Sequence, residues 1–477
     1  MVSHRDEYDS GGWSVDRRTF LKTAGAGTVS VGAAGCLGGG NGGGSTGNTD
    51  KPTLNIWFSF MTEGETKREW AETLVQNFQN ETGIEINLQG VPYTKIVNKV
   101  RAARSAGNVP HMVEVLTEPG VLASGTMVIN DLWKSTELSD KVSEKILAAH
   151  KTWGAQATGE TGNLVTMPIG FRPCLSSWRT DWLKQAGIDP AEVNHEAGSL
   201  NWREDVVPIY KKLARTKLGQ KPNHYPDMTG LKQNDQEFKS IYIPQFGGSL
   251  SGVVNEKGTK ATIDNKEAIE AITFYWEQIR KKNFHPNSIN AGDENSTTLH
   301  WAGKIADNHI QDSADLWASY RNEHMKQVKN GLYTWGLPYH EKQKAALAFT
   351  PGMGFFEAAF SNQAEKDAAA RFVDWWVANP QRAVKNAKKL GFVPVNTEII
   401  ESEPFFGKTE QHKQFWRGAC KKTLQNIKAA TMCALPGAQA ITYDIPARMD
   451  ARIQSGTPIE QAASAAATEI EKVLQQS

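Results

Sequence analysis

Between residues 54 and 89 the hydrophobic period of the chain changes twice. Leu54, Ile56 and Phe58 recur at every second residue, which aligns them on one face of a strand. Trp70, Leu74 and Phe78 recur at every fourth and stack on one face of a helix, after which Ile84, Ile86 and Leu88 alternate again. Thr62 and Glu65, three residues apart, predict a capping box at the helix start, and Gly83 predicts a left-handed stop. A strand, helix and strand in this order predict parallel strands joined by a right-handed crossover. Open parallel sheets bind ligands beyond the carboxyl ends of their strands, so residues 59–63 are the first candidate cleft segment.

The pattern continues. Ile96, Val100 and Ala103 predict a second amphipathic helix, and Pro110 introduces a short strand over 111–116 that delivers Glu118 at its carboxyl end. Phe372, Trp375 and Trp376 share a helix face, so at least one of these tryptophans belongs to the core, and Trp335 reads as a buried strand residue.

Before residue 51 the patterning is of another kind. Arg17 and Arg18, followed by a glycine- and alanine-rich run to Gly35, have the layout of a twin-arginine export signal. The run is too short and too rich in glycine to span a membrane, which takes about 20 apolar residues. Ala33-Ala34-Gly35-Cys36 resembles a lipobox with Cys36 as the lipid acceptor, although Ala33 stands where leucine is usual. Residues 37–50 form a glycine-rich tether with a root-mean-square span of about 20 Å. Within it, residues 43–47 fit G-x-S-x-G but lack the strand and helix that motif requires.

Residues 51–477 exceed what one hydrophobic core usually serves, so two lobes are expected. A net charge of +1 excludes an electrostatic nucleic-acid binder. Besides Cys36 the chain has Cys174, Cys420 and Cys433, neither a disulfide framework nor a metal spacing; the last two either pair or stay as buried thiols. Asn80 and Asn295 open acceptor sequons. H-E-x-x-H, C-x-x-C, Walker A and G-x-G-x-x-G are all missing, so no metal or nucleotide cofactor is implied. Glu63 and Glu118 read either as a carboxylate pair for glycoside hydrolysis or, for Glu63, as a charge placed at a helix start. Arg172 reads equally as a ligand contact or as an ion-pair partner between lobes.

The succession of strand, helix, TGIEINLQ, helix and AGNVPHMVEVLTE resembles the N-terminal lobe of the extracellular solute-binding proteins of ABC importers, the large sugar-binding group that includes maltose-binding protein. Further segments follow in that family's order: MPIGFR at 167–172 with LSSWRTDWLKQAG at 175–187, YIPQFGGSL at 242–250, and WAGKIA at 301–306 followed by Gln311-Asp312-Ser313. After these come TPGMGFF at 350–356, FVDWWVAN at 372–379 and GFVPVN at 391–396. The resemblance implies an α/β, two-lobed periplasmic-binding-protein fold of type II, with a ligand cleft between lobes and three hinge crossovers near Ile169, Leu347 and Val393. It places residues 51–168 plus 351–393 in the first lobe and 172–347 plus 397–477 in the second, with the C-terminal helices able to contact both.

The implied function is capture of a sugar or oligosaccharide outside the membrane and delivery to an ABC permease with a separate ATPase chain. The implied receptor is a monomer, held to the membrane by its lipid, with no cofactor, no metal and no enzymatic activity. The implied ligand residues are Phe58, Ser59, Glu63, Glu118, Arg172, Asp312, Ser313, Trp317, Met353 and Met432. Val115 and Ser313 stand where maltose-binding protein has sugar-stacking tryptophans, so stacking is expected from Phe58 or Trp317. A secreted carbohydrate-active enzyme, a surface adhesion or sensor protein, and a receptor for glycerol phosphate esters or polyamines are the competing readings.

Overall fold

β1 (Thr53–Phe58) buries Leu54, Ile56 and Phe58 on one face and Trp57 on the other. It runs parallel to β2 (Glu85–Gly90), with Leu54 opposite Ile86, and parallel to β3 (Met112–Val115). In the computed structural model, residues 52–116, 118–230, 232, 236, 239–322 and 325–476 are described. The signal arginines Arg17 and Arg18, the acceptor Cys36 and the tether lie outside the described residues.

The helix Glu65–Thr82 covers one face of this sheet with Trp70, Leu74 and Phe78, each worth about 2 kcal/mol when fully buried. It stops at Gly83, whose φ of 68° lets its amide close on the Gln79 carbonyl at 2.7 Å. The expected capping box does not form. Thr62 sits in a short 3-10 turn, Phe60–Thr62, and donates to the Ser59 carbonyl at 2.8 Å, so Gly64 occupies the cap and Glu65 pairs with Arg68. The helix Tyr93–Ser105 covers the opposite face through Ile96 and Val100.

β4 (Thr166–Pro168) joins this sheet only through β9 (Gly352–Phe355), which runs antiparallel between β3 and β4. The order is β2-β1-β3-β9-β4. The second sheet has β5 (Arg172–Arg179), buried along its whole length, at its centre. β6 (Asp307–Asp312), β7 (Tyr333–Gly336) and β8 (Ala345–Phe349) pair with β5 antiparallel, and β10 (Lys428–Ala430) pairs with β8 in parallel. Two mixed sheets, covered by helices, thus make up the two lobes.

The chain crosses between sheets directly from β4 to β5 and from β8 to β9, and a third time after the helix Pro380–Leu390. These passages lie side by side: Ile169 donates to the Pro351 carbonyl at 2.8 Å, and Phe171 and Val393 exchange backbone bonds at 2.9 and 3.0 Å. The middle passage falls at Thr350 and Pro351, just beyond Leu347, which belongs to β8.

Trp376 and Trp335 are buried in the core, whereas Trp375 is partly exposed beneath Arg382. Cys174, Cys420 and Cys433 are buried and outside any disulfide among the described residues, the last two in different cores. Asn80 and Asn295 are exposed. No helix among the described residues is long and apolar enough to cross a membrane.

Candidate ligand cleft

The strand ends of both sheets open on one cavity of about 780 Å³. Glu63 follows β1, Leu116 and Glu118 follow β3, Arg172 opens β5, and Asp312 and Phe349 close β6 and β8; all line it. This volume falls within the few hundred to 1,000 Å³ usual for small-molecule sites.

Glu63 is positioned from below. Alternation in β3 sends Glu114 into the core, where its Oε2 accepts from the Ser59 amide (2.7 Å), the Ser59 hydroxyl (2.9 Å) and the Phe60 amide (3.0 Å). Burial pushes the Glu114 carboxyl up to about 7 although the Phe60 amide bond favours its charged form. The turn so anchored presents Glu63, which also pairs with Lys67 at 2.5 Å. Ser59 is committed to Glu114, not to the cavity.

Arg172 is buried and reaches Asp312 through two contacts, Nε to Oδ1 at 3.2 Å and Nη2 to Oδ2 at 2.5 Å, with Asp315 at 3.7 Å. Phe349 and Phe392 flank its guanidinium, 5.7 and 6.0 Å from the ring centroids. Burial opposes its charge, but Asp312, Asp315 and Glu63 outweigh burial and hold its pKa above the ordinary value. Asp312 also accepts from the amides of Ala314 and Asp315, and so caps the helix Ser313–Asn322.

Glu118 differs from these. Its side chain has no hydrogen bond or ion pair within the described chain, and burial alone pushes its carboxyl up to about 7. Of the five carboxylates on the wall, Glu63, Glu118, Glu294, Asp312 and Asp315, it is the one without a cation, while Lys232 pairs with Glu294.

Six of the expected ligand residues are placed off the wall. Phe58 stacks on Phe60 at 4.8 Å and abuts Trp376, and Trp317 packs among Phe405, Phe415 and Trp416. Ser59 is buried on Glu114; Ser313 is buried beside Cys420; Met353 is buried between β3 and β4. Met432 lies one layer back, its sulfur accepting from the Tyr443 hydroxyl at 3.4 Å. The aromatic surfaces on the wall are instead Tyr93, Phe349 and Tyr443, joined by a turn carrying Leu435, Gly437, Ala438 and Gln439. Phe349 was missed, although its place just before a crossing could have found it; Tyr93, Tyr443 and the turn carry no periodic signal. Carboxylates and a guanidinium edge beside flat apolar rings can hold adjacent hydroxyls and cover a C–H face.

A family profile described as bacterial extracellular solute-binding protein matches residues 73–413. The sugar-binding protein MalE of Xanthomonas citri superposes with a TM-score of 0.67 at 14% identity, covering 89% of this chain and 98% of that one. A solute-binding protein of Thermotoga lettingae bound with α-D-tagatose superposes at 0.64 with 14% identity, covering 89% and 100%. The GacH receptor of Streptomyces glaucescens, solved unliganded and with acarbose, superposes at 0.64 with 15% identity, covering 89% and 99%. At these identities the likeness speaks for the fold. No curated protein sequence matches the chain significantly.

Proposed function

The chain belongs to the bacterial extracellular solute-binding proteins, and on that premise we propose that it captures a sugar or oligosaccharide and delivers it to an ABC permease driven by a separate ATPase chain. It is an exported binding protein, not an enzyme. The observation that carries the sugar reading is the cavity at the strand ends, where Glu63, Glu118, Arg172 and Asp312 face Tyr93, Phe349 and Tyr443. Sugars bound to structural neighbours support the same reading.

In this reading residues 51–168 with 351–393 and residues 172–347 with 397–477 close on the solute about the three crossings. Arg17 and Arg18 direct export, and Cys36 carries a lipid that keeps a monomeric receptor at the outer face of the membrane. Replacing Cys36 with Ala releases the protein to the medium without altering its fold; equal membrane retention on cell fractionation removes the anchor from the account.

Calorimetry against mono- and oligosaccharides tests the cleft. Glu118→Gln weakens the best sugar by about ten-fold or more, the cost of spoiling one buried polar contact. A sugar that binds both forms equally occupies some other place. A second reading, a cationic solute such as a polyamine, is favoured by the unpaired Glu118; it predicts binding of spermidine and no response to neutral sugars.

A further inference from the structure

The core of the second lobe holds three ionisable side chains that take no part in the cleft. Asp227, Asp307 and His309 are buried, at 0%, 0% and 4% exposure, and one ligating atom of each lies within 4.8 Å of the others. Alternation along β6 puts Asp307 and His309 on one face, and Asp227 arrives beside them through its backbone bridge to Phe284.

Two atoms of this cluster, His309 Nδ1 and Asp307 Oδ1, are buried without a hydrogen bond among the described residues. Each buried carboxylate costs several kcal/mol of desolvation unless a cation offsets it, and among the described residues His309 is the only cationic partner of either. The Tyr339 hydroxyl donates to Asp307 Oδ2, and the Tyr210 hydroxyl, 2.7 Å from both Asp227 Oδ2 and Asp307 Oδ2, has one proton for the two. The Tyr242 hydroxyl donates to Thr229 at 2.8 Å and therefore accepts from His309 Nε2 at 2.8 Å. In the neutral ring this leaves a lone pair on Nδ1, which lies 2.5 Å from Asp227 Oδ2 without hydrogen-bond geometry. Among the described residues Asp307 Oδ1 likewise has no hydrogen-bond partner.

We propose that Asp227, Asp307 and His309, with the Tyr210 hydroxyl, form a structural site for one divalent transition-metal ion of the zinc class. Such an ion takes four nitrogen or oxygen ligands at about 2.0 to 2.2 Å, so the Asp227, His309 and Tyr210 atoms, now 2.5 to 2.7 Å from their neighbours, move apart as the ion enters between them. One imidazole and three oxygens suit zinc or manganese and disfavour copper(I). Tyr242 is the outer partner that fixes the ring tautomer. The site is closed to solvent and ties the helix Val207–Ala214, the segment at 227 and β6 into one unit.

The test uses the full chain, produced without a metal-affinity tag, unfolded, refolded with zinc or manganese, and dialysed. About one tightly held equivalent is expected, with an X-ray absorption shell of nitrogen and oxygen containing a single imidazole, and with less than about 0.1 equivalent in Asp307→Asn. Should that variant not fold, the absorption spectrum of the unaltered chain still decides. Less than about 0.1 equivalent in the unaltered chain with both metals overturns the site and leaves a shared-proton network. An ion retained by folded Asp307→Asn, or a shell without imidazole, overturns it equally.

Discussion

Glu118 and Asp312 face the same cavity, yet the protein has already engaged only one of them. Asp312 holds a buried guanidinium and two helix amides, so Asp312→Ala strips Arg172 of its nearest partner and lowers stability, by about 3 to 5 kcal/mol for such a pair, along with affinity. Glu118→Gln does not lower the melting temperature, because no group among the described residues is held by that carboxylate, and near pH 8 it raises it, since burial pushes the Glu118 carboxyl up to about 7. Glu114 adds a pH dependence. Its carboxyl, at about 7 when folded, returns to an ordinary 4.5 in the unfolded chain, which therefore sheds this proton first. The stability it contributes is complete below pH 4.5 and is lost as pH rises through 7, a span worth roughly 3 kcal/mol. Thermal melts of wild type and Glu114→Gln from pH 4.5 to 8 therefore diverge as pH rises, with the variant gaining; a constant difference shows that the charged form is buried without cost. At this scale the sequence was only half legible. Of the residues expected at strand ends, Glu63, Glu118, Arg172 and Asp312 line the cavity. Phe58 was misplaced because alternation assigns a residue to a face without saying whether that face meets core or cleft. Trp317 was misplaced because its neighbours at 405–416 come from a distant stretch of chain.

Among the elements, period and punctuation carried the opening of the first sheet, and the resemblance to a known family carried the two-lobed plan. The strand, helix and strand that open the first sheet and the helix stop at Gly83 follow from hydrophobic spacing and a glycine at its end, whereas the final helix Ile459–Gln475 was expected from the family resemblance. The capping box failed because the same Thr62 hydroxyl had a nearer carbonyl within its own turn. What spacing could not reveal was β9, a glycine-rich strand that slots between β3 and β4 from nearly two hundred residues away. The third crossing depends on a helix end. Gly391 closes Pro380–Leu390 at φ 74°, and a Cβ there would lie 2.6 Å from the Ala314 Cα at the start of Ser313–Asn322. Gly391→Ala therefore combines left-handed strain with a backbone clash and costs about 2 kcal/mol or more. A lower urea midpoint with an unchanged slope checks this; an unchanged midpoint means that the two helices separate freely at the crossing.

At the scale of the whole molecule, closure about three adjacent crossings predicts a smaller radius of gyration when a sugar binds, with no change in oligomeric state. Small-angle scattering with and without the tightest sugar measures it, and tight binding without compaction removes closure from the mechanism. Because the same three passages interleave the lobes, neither is a contiguous piece of chain. As the polypeptide leaves the ribosome, β4 emerges with no neighbour to bond, since β9, its only partner in the sheet, is still more than 180 residues from being made. β5 meets β8 before β10 exists to complete that edge. Both lobes thus stay unfinished until translation is nearly over, and pairing strands this far apart in sequence is slow. Assembly then has to follow synthesis, with the newborn chain exposing open sheet edges in the interval.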